Sequence, residues 1–266
     1  MSDLLAHVES VWQNVVPVLP GFTVEVLPTI DSTNSELMRR ARAGLMEPVL
    51  LVAEEQTAGR GRVGKAWHSR RGQSLTFSLA LPMAPVSWSG LSLAVGVSLA
   101  NSLHPDVRLK WPNDLWLHER KLGGILVETA STGEAPHGAR MVVIGVGLNV
   151  ARPDAEAVAR LSDAHGALPT MAPAGLAEIL VGVTAGEVLA RVAPALAQDL
   201  QGFESQGFAA FGQRFAQRDA LQGRSVQLSD GTRGTACGVG EDGALRVLTE
   251  QGMRNITSAE VSVRPC

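Results

Sequence analysis

The stretch AEEQTAGRGRVGKAWHS, residues 53–69, sets Gly59, Gly61 and Gly64 among the cations Arg60, Arg62 and Lys65, with Trp67 close behind. Glycines let a backbone close on a ligand, and cations beside free N–H groups attract an anion, so phosphate is the first chemistry to test. Gly59 to Lys65 matches the G-x-x-x-x-G-K of a P-loop, but that loop needs Ser or Thr next and a helix opening there. Ala66 stands in that place, and Trp67 and His68 do not open a helix. The same letters match G-x-G-x-x-G, whose intervening positions stay small so that pyrophosphate meets backbone. Here they hold arginines, and no acidic residue between Gln56 and Pro105 is at hand for a ribose. Both nucleotide-fold fingerprints fall away, leaving a mobile, cationic, glycine-hinged loop that can close over an anionic ligand.

Working outward, residues 48–54 form an apolar strand leading into the loop, and Leu75, Phe77, Leu79 and Leu81 alternate with Thr76, Ser78 and Ala80 in a half-buried strand beyond it. The charged residues between Gln56 and Pro105 are Arg60, Arg62, Lys65, Arg70 and Arg71, all positive. In a chain of net charge −3 they predict a local electrostatic funnel for a polyanion. Upstream, the spacing predicts a helix over residues 3–16, a strand over 23–27 and a helix over 37–43. Thr33 and Glu36 have capping-box spacing at the start of that second helix, which leaves Ser32 and Asn34 unassigned where a small polar ligand can sit.

Downstream, residues 88–103 predict a helix built for close packing, and 107–117 read as strand, Pro-Asn-Asp turn and strand. Lys121 stands beside Gly123 and Gly124. It is either held inward at low dielectric, where a fixed cation stabilises developing negative charge, or is a solvated hairpin lysine. Residues 141–150 form a buried strand ending at Gly147 and Asn149, a carboxamide suited to an adenine edge or to a turn. Residues 152–172 are loop-like, and 174–221 are helical in two or three pieces, interrupted at Pro194, Gly202, Gly207 and Gly212. Short strands separated by Ser-Asp-Gly and Glu-Asp-Gly turns fill 223–264, which predicts a small five-stranded barrel.

With 266 residues, 45% hydrophobic and 18% charged, the chain has the composition of a soluble globular protein of one large and one small domain. A pI near 6.1 argues against a dedicated nucleic-acid binder. Cys237 and Cys266 alone make no disulfide framework, and the acidic start lacks a signal peptide's basic and apolar regions, so the cytoplasm is the expected compartment. No segment reads as a membrane span. About twenty residues precede the motif region, too few for a helix-turn-helix, so no specific DNA binding is expected.

Five blocks then occur in order: Asp31-Ser-Thr-Asn34, Gln56-Thr-Ala-Gly-Arg-Gly-Arg62 with Trp67, Lys110-Trp-Pro-Asn-Asp114, Lys121-Leu-Gly-Gly-Ile-Leu-Val-Glu128 and Gly145-Val-Gly-Leu-Asn149. Together, over residues 22–264, they resemble the biotin protein ligases. The resemblance implies an α+β fold, a mixed sheet flanked by helices of the class II synthetase type over residues 1–221, with an SH3-like β-barrel over 222–266. It implies two steps: biotin and MgATP give biotinyl-5′-adenylate, and a lysine of a biotin carboxyl carrier protein then takes the biotinyl group. By matching positions, Ser32, Thr33, Asn34, Gln56, Gly59, Gly61 and Gly123 would serve biotin, with Arg60, Arg62 and Lys121 at its carboxylate. Arg60, Arg62, Trp67, Asn113, Asp114, Lys121 and Asn149 would serve ATP, and Mg²⁺ would travel with ATP near Asn113 or Asp114. Arg60 and Lys121 would carry the catalysis.

The residue types suit that chemistry. A carboxylate attacking the α-phosphate is already deprotonated, so the obstacles are anion repulsion and alignment, which cations address. A ureido ring is uncharged and needs neutral partners that both donate and accept, as Ser32, Thr33 and Gln56 do. Val63 departs from the pattern, standing where other members often carry a polar or basic residue. A lipoate or octanoate ligase of related fold is the nearest rival, disfavoured by the complete arginine loop and Lys110-Trp-Pro-Asn-Asp114. A non-catalytic biotin or nucleotide sensor would not need Lys121 and the loop cations.

Overall fold

Along Leu50, Leu51 and Val52 successive side chains point to opposite sides of a strand, and all three are buried. Leu50 and Val52 join one apolar cluster and Leu51 the other, an alternation repeated at Val142, Val143 and Ile144. A sheet apolar on both sides has to be covered on both sides, and that requirement sets the layers.

The computed structural model of the chain describes residues 3–130, 139–154, 172–257 and 263–265. Helix α1 (Asp3–Val15) precedes strand β1 (Thr23–Ile30), and helix α2 (Thr33–Arg42) crosses to β2 (Val49–Gln56), parallel to β1. The small hairpin β3 (Gly59–Arg60) and β4 (Ala66–Trp67) stands apart, followed by β5 (Ser74–Met83) and α3 (Leu91–Leu103). Then come β6 (Arg108–Lys110), β7 (Asp114–Leu117), β8 (Arg120–Ala130) and β9 (Arg140–Asn149). The seven-stranded sheet has the order β1-β2-β5-β9-β8-β7-β6, antiparallel except for β1 and β2. Leu37, Met38 and Ala41 of α2 cover one face. The other carries α1, α3 and α4 (Ala185–Gln206) through residues such as Val11, Leu99 and Leu196.

One sequence expectation changes here. The helical pieces expected over 174–221 include one unbroken helix, α4, which runs 22 residues straight through Pro194 and Gly202. Proline in a helix interior costs roughly 3 kcal/mol, and that is offset by the full burial of Val188, Leu189, Val192, Leu196 and Ala197 along the same face. The helix ends at Gly207, whose φ of 66° only glycine adopts freely. Next, a short helix, α5 (Gly212–Ala216), follows. Except at its two ends, the loop expected over 152–172 lies outside the described residues, as does Cys266.

The C-terminal strands β10 (Ser225–Leu228), β11 (Arg233–Val239), β12 (Leu245–Thr249), β13 (Gly252–Ile256) and β14 (Val263–Pro265) form one antiparallel sheet in the order β13-β12-β11-β10-β14. The five strands agree with the expectation, but among the described residues β13 and β14 do not pair, so hydrogen bonding does not close the expected barrel. The turn between β11 and β12 docks on the segment leading into α3 and on the β6–β7 turn: Ser89 Oγ donates to Asp242 O at 2.6 Å and Trp111 Nε1 to Gly243 O at 3.1 Å. Trp111, 1% exposed, is thus an anchor between the two sheets. No described helix is long and apolar enough to cross a membrane.

The β7–β8 hairpin turns on His118 and Glu119, with φ of 48° and 62°. Two left-handed residues make the turn that matches strand twist, and Asn-Gly adopts it at least cost. The double change His118→Asn with Glu119→Gly should raise unfolding free energy by about 1 kcal/mol, even after losing the exposed Glu119–Arg224 pair at 2.7 Å. The urea midpoint measures it, and a fall in the midpoint contradicts the turn assignment.

Candidate active site

Strand register builds a trough on the face that the start of α2 overlooks. Thr76 pairs with Gly147 and Gly147 with Gly124, while Gly124 pairs with Asp114 and Asp114 with Lys110. One register away, Ser78 pairs with Gly145 and Gly145 with Leu126. Because side chains two apart share a face, this face lacks a Cβ at Gly124, Gly145 and Gly147, and a groove runs across the sheet. Above it lies a cavity of about 470 Å³, roofed by the loop residues Arg60 to Trp67.

One end of the cavity is neutral and heavily hydrogen-bonded. Thr33 N–H donates to Gln56 Oε1 at 2.7 Å, and Thr33 Oγ lies 2.7 Å from Ser78 Oγ. Ser78 Oγ donates to Asn34 Oδ1 at 2.6 Å, and Asn34 Nδ2 donates to Glu128 Oε2 at 3.0 Å and Leu126 O at 3.3 Å. The helix cap is Ser32, which accepts from Ser35 N–H at 3.4 Å. The capping box expected at Thr33 is therefore absent: Thr33 sits inside α2, and Glu36 instead pairs with Arg39 and Arg40. Asp31, whose carboxyl Arg39 pulls down to about 2 by hydrogen bonding, accepts from Ser32 N–H at 2.7 Å and steadies the entry to α2.

The other end is cationic. Lys121 Nζ meets Asp114 Oδ1 at 2.8 Å, and Lys110 Nζ lies 3.8 Å from Asp114 Oδ2. Burial alone would raise the Asp114 carboxyl, but Lys121 and Lys110 beside it hold it below its ordinary value. Arg62 Nη1 donates to Asn113 Oδ1 at 3.3 Å, while Asn113 Nδ2 donates to Ile125 O at 2.9 Å. Burial lowers the Arg62 guanidinium, partly countered by Asp114, and it keeps its charge. Lys121, Lys110 and Arg62 thus gather about the Asp114 carboxylate, a local positive field that suits a negatively charged ligand.

The loop closes over both ends. Arg60 pairs with Glu128, and Gly59 pairs with Trp67 across the β3–β4 hairpin. Trp67 lies on Gly147 so closely that a Cβ there would meet the indole at 2.3 Å, and its buried Nε1 has no hydrogen-bond partner among the described residues. A buried donor without an acceptor is costly unless a ligand supplies one. At the loop tip Val63 is 89% exposed with φ 54°, a conformation a β-branched residue adopts only under strain.

Of the candidate site residues, the cavity brings together Ser32, Thr33, Asn34, Gln56, Arg60, Gly61, Arg62, Trp67, Asn113, Asp114 and Lys121. Three candidates do not line it. Gly59 and Gly123 act by close approach, where a Cβ would meet Trp67 O at 2.4 Å and Gly147 O at 2.5 Å respectively. Asn149 is buried and donates to Ala174 O at 3.0 Å, so its carboxamide serves the strand end. Lys121 is 45% exposed, so it is not held in a low-dielectric interior; it stands at the mouth beside Asp114. The cationic funnel is also narrower than expected, because Arg70 and Arg71 pair with Asp154 and Glu54 at 2.7 and 3.0 Å. Sequence reasoning gave no role to Lys110 and Gly145, which line the cavity, or to Ser78 and Glu128, which hold Asn34 from behind it, and Ser229 and Val263 of the C-terminal region also line the wall. Period-two alternation around Phe77 was the signal that would have put Ser78 on the ligand-facing side.

Among known proteins, the biotin/lipoate A/B protein ligase family matches residues 26–149. The chain is 34% identical over 262 residues to the bifunctional ligase/repressor BirA of Escherichia coli, spanning 95% of this chain and 77% of that protein. It is 33% identical over 250 residues to the biotin--[acetyl-CoA-carboxylase] ligase of Paracoccus denitrificans, spanning 89% and 98% of the two. In structure it is similar to the biotin protein ligase of Aquifex aeolicus in complex with biotin and ATP, with a TM-score of 0.73, 28% identity, and coverage of 91% and 99%.

Proposed function

Because the chain belongs to the biotin/lipoate A/B protein ligase family, we propose that it activates biotin with ATP and transfers the biotinyl group to a lysine of a biotin carboxyl carrier protein. The observation that carries this reading is one cavity with a neutral hydrogen-bonding end at Thr33, Asn34 and Gln56 and a cationic end at Arg62, Lys65, Lys110 and Lys121. Biotin has that polarity: an uncharged ureido ring at one end and a carboxylate at the other. The catalytic region is assigned to residues 1–221 and the C-terminal domain to 222–266, with Ser229 and Val263 lending the latter a share of the wall.

In the first step a carboxylate oxygen of biotin attacks the α-phosphorus and pyrophosphate leaves. Lys121, Arg60 and Arg62 offset the repulsion between the two anions and hold them in line, so no general base is required. Asp114 keeps Lys121 aimed at the reacting centre through the 2.8 Å contact. Trp67 on its glycine platform gives the nucleotide a flat apolar wall. In the second step the amine of the carrier lysine attacks the acyl carbon and AMP departs. Mg²⁺ is part of the MgATP substrate in this scheme. Asp114 and Asn113 supply one carboxylate and one carbonyl at the cationic end, which suits an ion bound mainly by phosphate oxygens and water.

Arg60 reaches across the mouth to Glu128. Its truncation to Ala should speed the loss of biotinyl-5′-adenylate by about tenfold or more, since one charge-assisted contact is removed from the bound anion. Unchanged retention counts against a lid. The function as a whole is tested by incubating the chain with biotin, MgATP and a carrier domain. Mass spectrometry should find one biotinyl group on the carrier's acceptor lysine, and no transfer under conditions where the carrier is folded contradicts the reading.

A further inference from the structure

Ser78 does not line the cavity, is fully buried, and yet stands at the centre of the neutral end. Three oxygen contacts meet there: Thr33 Oγ to Gln56 Oε1 at 3.1 Å, Thr33 Oγ to Ser78 Oγ at 2.7 Å, and Ser78 Oγ to Asn34 Oδ1 at 2.6 Å. Each hydroxyl has one proton, so two protons serve three contacts. The Asn34 amide cannot turn over to supply another, because its Nδ2 already faces Glu128 Oε2 and Leu126 O, both acceptors only. Nor can Gln56 turn over, because its Oε1 receives Thr33 N–H at 2.7 Å. Oxygens at 2.6 and 2.7 Å without a proton between them repel strongly, so the contact left without one is the longest. Thr33 O–H therefore donates to Ser78, Ser78 O–H donates to Asn34, and the chain ends on the Glu128 carboxylate that Arg60 also holds.

With its only proton committed to Ser78, the Thr33 hydroxyl can offer the cavity lone pairs alone. The geometry points to Ser78 as a positioning residue that makes Thr33 an obligatory acceptor, so that the site demands an N–H at that point of its ligand. This rests on reading the neutral end as the ureido site. An analogue presenting an ether oxygen in place of that N–H meets lone pair against lone pair and is rejected.

The test measures binding to the full chain of biotin and of its two cyclic carbamate analogues, in each of which one ureido N–H is replaced by O. Wild type should bind biotin at least about tenfold more tightly than one of the two carbamates. In Ser78→Ala the Thr33 proton is released from Ser78 and only the longer 3.1 Å contact to Gln56 Oε1 competes with a ligand oxygen for it, so that preference should fall to about threefold or less. Thermal unfolding of the variant is followed alongside. A wild-type preference near one for both carbamates overturns the proposal whether or not the variant folds. So does an unchanged preference in a Ser78→Ala protein that unfolds like wild type. Wild type that binds none of the three contradicts the proposed function itself, a result distinct from binding all three alike.

Discussion

Replacing Lys121 by Ala lowers biotin-dependent exchange of pyrophosphate into ATP by about a hundredfold or more, the usual scale for removing one group aimed at developing charge. Lys121 is the nearest cation to Asp114 and lines the cavity at its cationic end. Being 45% exposed, it adds little to the core, so the loss should fall on the rate and leave unfolding nearly unchanged. Asp114 keeps Lys110 at 3.8 Å in the variant and is not left without a cation. Near-normal exchange by a folded Lys121→Ala protein removes Lys121 from the reacting centre, and Asp114 would then be its only business.

The second large effect comes from adding a single methyl to the floor of the trough. A Cβ at Gly145 would sit 2.1 Å from Asn34 Oδ1 and 2.8 Å from its Cγ. Asn34 is 3% exposed and held by Ser78, Glu128 and Leu126, so it cannot yield without breaking those bonds. Gly145→Ala should therefore weaken biotin by about a hundredfold or more, at roughly 1 kcal/mol for each of the bonds displaced, while ATP affinity changes little. At Gly147 the same methyl strikes the indole of Trp67, which belongs to the loop and not to the sheet. Gly147→Ala should instead raise the KM for ATP by about tenfold, equivalent to some 1.4 kcal/mol of lost contact. Titration calorimetry with biotin and exchange kinetics in ATP separate the two. A reversed pattern contradicts the assignment of the neutral end to biotin and the Trp67 end to nucleotide.

Much of this was legible in the letters because it depends on local periodicity. The alternation from Leu75 to Leu81 gave β5, although the strand is buried on both faces and not half-buried as expected, and the turns around Asp230 and Asp242 gave the C-terminal strands. What was missed depends on partners far along the chain. Thr33 has the right spacing for a cap, but Gln56 and Ser78, 23 and 45 residues away, claim its N–H and hydroxyl, so the capping role passes to Ser32. Asn149 has a ligand-like side chain, but the segment at Ala174 needs its donor. Lys121 has glycines beside it, yet the register shift between Leu115 and Trp116 sets it opposite Trp116 at the hairpin end, half in solvent. Ser78 reads as a small strand residue until β9 brings Gly145 beside it and α2 brings Asn34 above.

Exchange of labelled pyrophosphate into ATP, with biotin, lipoate or octanoate supplied in turn, tests the central claim most directly, because it needs neither the carrier nor a second turnover. Exchange that depends on biotin and is absent with lipoate and octanoate is the result predicted by a cavity whose neutral end is wired through Thr33, Asn34 and Gln56. Exchange supported by lipoate or octanoate and not by biotin would contradict it.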